Sequence, residues 1–495
     1  MSRLVIFLFS FCIFCGVRSA SGDYDLNILH YNDFHARFVE TNRFGGSCNQ
    51  NDVCIGGFAR LATLVRQRLV EEPDSLLLNA GDSFQGTLWY NILRWNVTQD
   101  FMNMLPHDAH ALGNHEFDNG IEGLVPYLKH LNSKVVTANI IDDLEPTMQG
   151  LYEKSIIVTR KNRRIGIIGV LIATTDTLAS TGKLKFTDEI EAVREEAEKL
   201  NAQGVDIIVV LSHCGLDIDR EIALHGGPHI DIIVGGHSHT LLFNGEAPEN
   251  SAFIPLGPYP EVVDQENRKV LIVQAAAHTQ YLGEIKLTFD DNGHLKHWTG
   301  DPHYIGNEIE QAQDVLDKIE KYLPLIQEKA SEEIGSALVE LSADCTCSEC
   351  NLGNLMCDAF LHATLPKAGP NQWNYAHFCV NNRGVIRAAI NRGGLRVTFN
   401  GSLPINSRVV DVQVRCIECD VPRYEPLKLD QYYKVVSQSF MANGGDGYSM
   451  ISENRKNIEV LGVDYDVLSS YISQQSPVFA ENEGRLTFNN FCQQQ

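Results

Sequence analysis

Positive charge is scarce in this chain: 40 Lys and Arg stand against 63 Asp and Glu among 495 residues, a formal net charge of −23. A surface of that sign repels nucleic acid and anionic membranes, so neither is expected as a partner. An anionic substrate would need local positive charge, from metal ions or a few placed arginines. Long apolar runs are equally scarce. Beyond the first residues no stretch is apolar enough to span a bilayer, and Phe488 to Gln495 form no hydrophobic tail for a glycolipid anchor. There is no Arg-Gly-Asp tripeptide, so the simplest integrin-mimic mechanism lacks its motif, and there are no internal repeats or low-complexity tracts.

What is present begins with a leader. Arg3 precedes the apolar run Leu4–Cys15, and Val17 and Ser19 offer small residues for cleavage, so residues 1–19 read as a signal peptide. The mature protein is expected to be secreted, extracellular and without a membrane anchor. Asn96-Val97-Thr98 and Asn400-Gly401-Ser402 are glycosylation sequons consistent with that route. Of the 13 cysteines, Cys12 and Cys15 leave with the leader; the other eleven travel an oxidising route, and Cys48/Cys54, Cys345/Cys350 and Cys416/Cys419 form close pairs. The odd number leaves at least one thiol free or intermolecular. The CxxC at 416 has no second CxxC to complete a zinc site, which favours a local disulfide.

Hydrophobic residues make up 44% and charged residues 21%, the composition of a folded chain too long for one core. From residue 24 to about 304 short apolar runs alternate with polar helical stretches, an α/β pattern. Leu76–Leu78, Arg164–Leu171, Ile207–Leu211 and Ile230–Val234 are apolar throughout, as strands covered on both faces are. Ile305, Ile309, Ala312, Leu316, Ile319, Leu323 and Ile326 then recur at helical spacing, predicting a linker helix over 305–334 that Pro324 kinks or ends. A second α/β region follows over 335–490.

The chemistry is written at the ends of the first domain's apolar runs. Asp33-Phe34-His35 follows Leu26–His30, and Gly81-Asp82 follows Leu76–Leu78. Gly113-Asn114-His115-Glu116-Phe117-Asp118 comes next. Ser212-His213 follows Ile207–Leu211, and Gly235-Gly236-His237-Ser238-His239 follows Ile230–Val234. Ligands of α/β sheets gather beyond the carboxyl ends of the strands. Mixed Asp, Asn and His donors without cysteine suit zinc, manganese or iron in a reactive rather than structural site. A shared carboxylate, Asp82, can bridge two ions roughly 3.5–4 Å apart, the arrangement phosphatases use. One such motif alone reads as a cap or a satisfied buried imidazole; five in order do not arise easily by chance.

The series DxH…GD…GNHE…H…GHxH resembles the metallophosphoesterase superfamily. Leu78–Thr87, Ala111–Gly120, Glu349–Leu355 and Ala442–Tyr448 narrow the resemblance to the 5′-nucleotidase/apyrase family, nearest to the secreted salivary apyrases of blood-feeding arthropods. The resemblance implies a four-layer metallophosphoesterase β-sandwich flanked by helices, a linker helix and a smaller α/β nucleotide-binding domain. It implies two divalent ions, zinc by family and manganese, magnesium or calcium as alternatives. One is held by Asp33, His35, Asp82 and His239, the other by Asp82, Asn114, His213 and His237. His115, oriented by Asp118, then acts at the leaving oxygen. In the second domain Asn382 and Arg387 face the substrate, Phe440 stacks on the base and Asp446 holds the ribose hydroxyls. Disulfides are implied for Cys48–Cys54, Cys345–Cys350, Cys357–Cys379 and Cys416–Cys419, with Cys214 reduced and buried.

Three departures accompany the resemblance. Thr346 stands where relatives carry a phosphate-gripping arginine. Arg383 occupies a turn where small residues are usual. Several dozen residues, including a first base-stacking phenylalanine, are missing near 393–395. The expected function is apyrase-like: hydrolysis of extracellular ATP and ADP, which suppresses platelet aggregation. The alternatives are a soluble 5′-nucleotidase acting on AMP, and a catalytically weakened binder that scavenges ADP or blocks a platelet surface receptor. A phosphoesterase acting on other esters is a weaker third.

Overall fold

The computed structural model describes residues 22–265, 268–342, 348–381, 391–404, 407–444 and 448–490, with the backbone alone for 391–393. Two six-stranded sheets form the first domain. In one, Tyr24–Tyr31, Leu76–Asn79, Ala109–Ala111 and Lys134–Val136 run parallel, and Tyr281–Phe289 and Leu295–Tyr304 close one edge antiparallel. In the other, Arg163–Leu171, Ile207–His213, Ile232–Val234 and Arg268–Val273 run parallel between the antiparallel edges Ser155–Arg160 and Glu261–Gln265.

Strand alternation decides which layer each residue joins. Leu26, Ile28, Leu76 and Leu78 point at the second sheet and pack with Ile167, Val209 and Ile233. Leu29, Tyr31 and Leu77 point the other way, onto Phe58, Ala62 and Val65 of the helix Phe58–Glu71. Val193, Ala197 and Leu200 of the helix Glu189–Ala202 cover the second sheet's outer face. The result is helix, sheet, sheet, helix, and every parallel strand delivers its carboxyl end to one rim.

A buried ion cluster fastens the outer layer. Glu284, 5% exposed, accepts from Arg68 Nε and Nη2 at 2.9 and 2.8 Å and from Asn27 Nδ2 at 3.0 Å, and lies 2.6 Å from His303 Nε2. Burial opposes its charge, but His303, Arg68 and Asn27 outweigh burial and hold its pKa down at about 2. A carboxyl depressed in the fold stabilises above its unfolded pKa, and that stability disappears as pH falls toward 2. Glu284→Gln is therefore expected to lose about 2 kcal/mol at pH 7 and progressively less below pH 4.5. Urea unfolding of both proteins across that range checks it; a pH-independent difference contradicts it.

The linker differs from its sequence expectation. The helix spans Gln313–Ala330 rather than 305–334, and it continues through Pro324. Ile305, Ile309 and Ala312 reach the same core from non-helical chain, so apolar spacing alone overstated the helix. Pro324 is exposed, as is Glu320, so the one carbonyl that proline deprives of a partner lies at the solvent face. Val315, Ile319 and Ile326 seat this helix on the first domain.

The second domain has a three-stranded sheet (Asn391–Gly393, Phe378–Asn381, Val435–Ser437) and a four-stranded one (Tyr424–Pro426, Val409–Arg415, Leu395–Asn400, Leu486–Asn489). The helices Asn351–Ala363 and Asp464–Gln475 pack beside them. Among the described residues its core divides into small clusters around Phe360, Val397 and Leu355.

Candidate active site

The loops after Tyr24–Tyr31 and Leu76–Asn79 are stitched by backbone bonds: Asp33 N to Gly81 O at 3.0 Å, His35 N to Asp82 O at 2.9 Å and Ala36 N to Ser83 O at 3.2 Å. Asp33, His35, Asp82, His237 and His239 all hold positive φ, between 48° and 73°. Such backbone is costly for residues with a side chain and gathers at functional sites. Glycines let the loops close. A Cβ on Gly113 would lie 2.1 Å from Asp82 Oδ1, and one on Gly236 would lie 2.7 Å from Ala80 O.

These loops bring three ligand groups together: Asp33, His35 and His239; His35, Asp82 and His115; Asp82, His213 and His237. His35 Nε2 and His239 Nε2 are 3.0 Å apart, His239 Nε2 is 3.3 Å from Asp33 Oδ1, and His213 Nε2 is 3.1 Å from Asp82 Oδ2. His213 Nδ1 lies 2.7 Å from Ala80 O, which fixes that nitrogen as the donor and leaves Nε2 as a lone pair in the neutral ring. Among the described residues no hydrogen-bond partner reaches the buried Asp33 Oδ1, Asn114 Oδ1 or His213 Nε2. Orphaned acceptors beside two buried carboxylates are what divalent cations satisfy, so the donor set fits metal ions.

His115 sits at the edge of this cluster, its ring 5.1 Å from that of His35. Its Nδ1 lies 2.7 Å from Asp118 Oδ2, so Nδ1 carries the proton and Nε2 is the free ring nitrogen. Burial works against charge on this ring, yet Asp118 and Asp82 outweigh burial and raise its pKa to about 10. The His115 backbone N–H also donates to Asp82 Oδ1 at 3.0 Å.

Several supporting residues had no sequence signal of their own. Glu116, 2% exposed, accepts from the N–H groups of Asp82, Ser83, Phe84 and Gly113 at 3.0, 2.6, 3.2 and 2.6 Å. One carboxylate thus ties the GD loop to the GNHE loop. Glu116→Ala strands four buried donors and is expected to cost roughly 3–5 kcal/mol; thermal unfolding checks it, and a loss under 1 kcal/mol rejects the clamp. Gln274 clamps the GHxH loop: its Oε1 accepts from Ser238 Oγ and Thr240 N, and its Nε2 donates to Gly236 O at 3.2 Å. His278, at φ 61, packs its ring 5.4 Å from that of His239 and 5.8 Å from that of His35.

Comparison with known proteins decides the lineage. A calcineurin-like phosphoesterase family model matches residues 26–241, and a 5′-nucleotidase C-terminal domain model matches residues 390–453. An apyrase of Tabanus yao is 39% identical over 94% of this chain and 94% of its own length. A 5′-nucleotidase of Bos taurus is 34% identical over 95% and 92%. The solved 5′-nucleotidase precursor of Thermus thermophilus superposes with a TM-score of 0.67 at 30% identity, covering 94% of this chain and all of that one. The chain belongs to the 5′-nucleotidase/apyrase family. It is a metal-dependent nucleotide phosphohydrolase with a metallophosphoesterase domain and a 5′-nucleotidase C-terminal domain.

In this family member a cavity of about 1410 Å³ opens between the domains, lined by His115 and Asp118 on one side and Phe440 on the other. Phe440 is 55% exposed. Asn382, Arg387 and Asp446 lie outside the described residues, as do Thr346, Arg383 and the leader 1–19. The alignment with the Tabanus yao apyrase runs over 519 positions while using 94% of this 495-residue chain, so that relative has residues this chain lacks. Cys48–Cys54, Cys357–Cys379 and Cys416–Cys419 are bonded, and Cys214 is free and buried. Cys350 is disulfide-bonded too, and Cys345 lies outside the described residues. Asn96 is exposed but within the helix Trp95–Met102, with Thr98 buried; Asn400 ends a strand and accepts from Ser402 N at 3.0 Å. No helix among the described residues is long and apolar enough to cross a membrane.

Proposed function

We propose that this chain is a secreted, apyrase-like enzyme that removes phosphate from ATP and ADP. Asp33, His35, Asp82 and His239 would hold one divalent ion, and Asp82, Asn114, His213 and His237 the other, with zinc the family's choice. The observation that carries the reading is the His115–Asp118 pair at 2.7 Å, set against the ligand cluster and facing the cavity that Phe440 lines. When bound, the ions neutralise phosphoryl charge and lower the pKa of water. Asp118 holds the His115 ring with Nε2 toward the substrate, and the protonated ring donates to the oxygen that gains charge as the ester bond breaks. Phe440 offers its face to the base.

The 39% identity with an apyrase supports ATP and ADP as substrates, and clearing ADP would suppress platelet aggregation. The 5′-nucleotidase relatives support AMP as a second reading. Phosphate release from ATP, ADP and AMP, with divalent cation and then with chelator, separates the two. Release from ATP and ADP but not AMP is expected. Release from AMP establishes the second reading, and no release with platelet inhibition intact replaces both with a binder.

A further inference from the structure

Among the described residues the two domains meet across the cavity with few direct polar ties. Among the described residues, the ion pair that crosses between them is Arg94 with Asp466: Arg94 Nη2 lies 2.8 Å from Oδ1 and 3.0 Å from Oδ2. Arg94 is the break between the helices Leu88–Leu93 and Trp95–Met102, at φ 57 and ψ −144. A non-glycine residue in that conformation is strained, and such strain persists where the surroundings fix it. Among the described residues Nη1 of the guanidinium is buried with no partner, and Nη2 bonds to Asp466 of the other domain.

Asp466 is no arbitrary anchor. It lies in the first turn of the helix Asp464–Gln475. Asp464, two residues before it, accepts from Gln438 Nε2 at 3.1 Å, and Gln438 immediately precedes the short helix Ser439–Ala442 that carries Phe440. Asp464 also lines the same cavity as His115 and Asp118. One turn of helix therefore links the Arg94 anchor, the Phe440 platform and the His115–Asp118 pair.

We propose that Arg94 and Asp466 are positioning residues that hold the second domain where Phe440 faces His115 across the cleft. The proposal rests on the nucleotide-hydrolase reading for its kinetic arm only. An equilibrium between held and released cleft lowers apparent affinity by the fraction held, so weakening the pair raises KM and moves kcat less. Half-exposed ion pairs are modest and salt-sensitive, which sets the expected size at roughly two- to fivefold.

The test uses the full-length, metal-loaded chain as Arg94→Ala, Asp466→Asn and the swap Arg94→Asp with Asp466→Arg. KM and kcat for ADP and AMP are measured from 20 to 500 mM NaCl, and the interdomain distance distribution is measured by spin-label spectroscopy without substrate. Both single variants are expected to raise KM roughly two- to fivefold, lose its salt dependence and broaden the distances; the swap restores all three. Unchanged distances in both single variants overturn the proposal, as does a swap that stays as broad as the single variants. The distances need no turnover, so a chain that hydrolyses no nucleotide still tests the pair. A thermal melt of Asp466→Asn identical to the parent's separates positioning from loss of fold.

Discussion

His115→Ala is expected to lower kcat about 10²–10⁴-fold while leaving the bound metal close to the parent's. The contrast follows from the ring's contacts. His115 reaches the edge of the cluster, but its Nδ1 is committed to Asp118 at 2.7 Å, and its backbone N–H, which the substitution keeps, is what meets Asp82 Oδ1. Alanine therefore removes a proton donor without removing a carboxylate. His115→Gln keeps a hydrogen-bond donor and is expected to lie between. Phosphate release together with metal analysis of the same preparations decides the matter. An alanine variant that loses metal in step with activity makes His115 a ligand, as its place in the group with His35 and Asp82 would permit.

The site was far more legible in the sequence than the contacts that support it. Asp33, Asp82, His213 and His237 come within four residues of an apolar run, and Asp82, Asn114 and His237 each follow a glycine, so the local order of residues already points to strand ends. Glu116 stands within the GNHE motif with no role attached, because its four N–H partners belong to backbone and three of them, on Asp82, Ser83 and Phe84, lie in a loop distant in sequence. Gln274 and His278 follow an ordinary strand; the positive φ of Ala276, His278 and Thr279 has no signature in the letters Ala-Ala-Ala-His-Thr. The same limit explains the linker. Spacing recorded correctly that Ile305, Ile319 and Ile326 face one core, though Leu323 of the same stripe is exposed, and a buried stripe can be reached by extended chain as well as by helix. Arg94 and Asp466 are 372 positions apart, and neither carries a local pattern.

Asp82→Asn should strip the enzyme more completely than loss of any other single ligand. Asp82 appears in two of the three ligand groups, with Oδ2 3.1 Å from His213 Nε2 and 3.7 Å from His35 Nε2. Under the proposed two-ion reading, a carboxylate placed between two sets of donors would serve both ions, whereas His239 and His213 would each serve one. His239→Ala and His213→Ala are accordingly expected to lose about one ion per chain, and Asp82→Asn about two, with activity at background in the last. Asparagine matches the shape of aspartate and still accepts the His115 N–H, so the fold is kept while the charge is lost. The metal-dependent gain in thermal stability separates the two effects. Ions at a hundred times their dissociation constant add about 2.7 kcal/mol to the parent, and that increment should vanish in Asp82→Asn while the chelated forms melt alike. If Asp82→Asn instead retains one tightly held ion, the carboxylate serves a single metal, and Asp33, 0% exposed with its own unpartnered Oδ1, becomes the better candidate for the bridge.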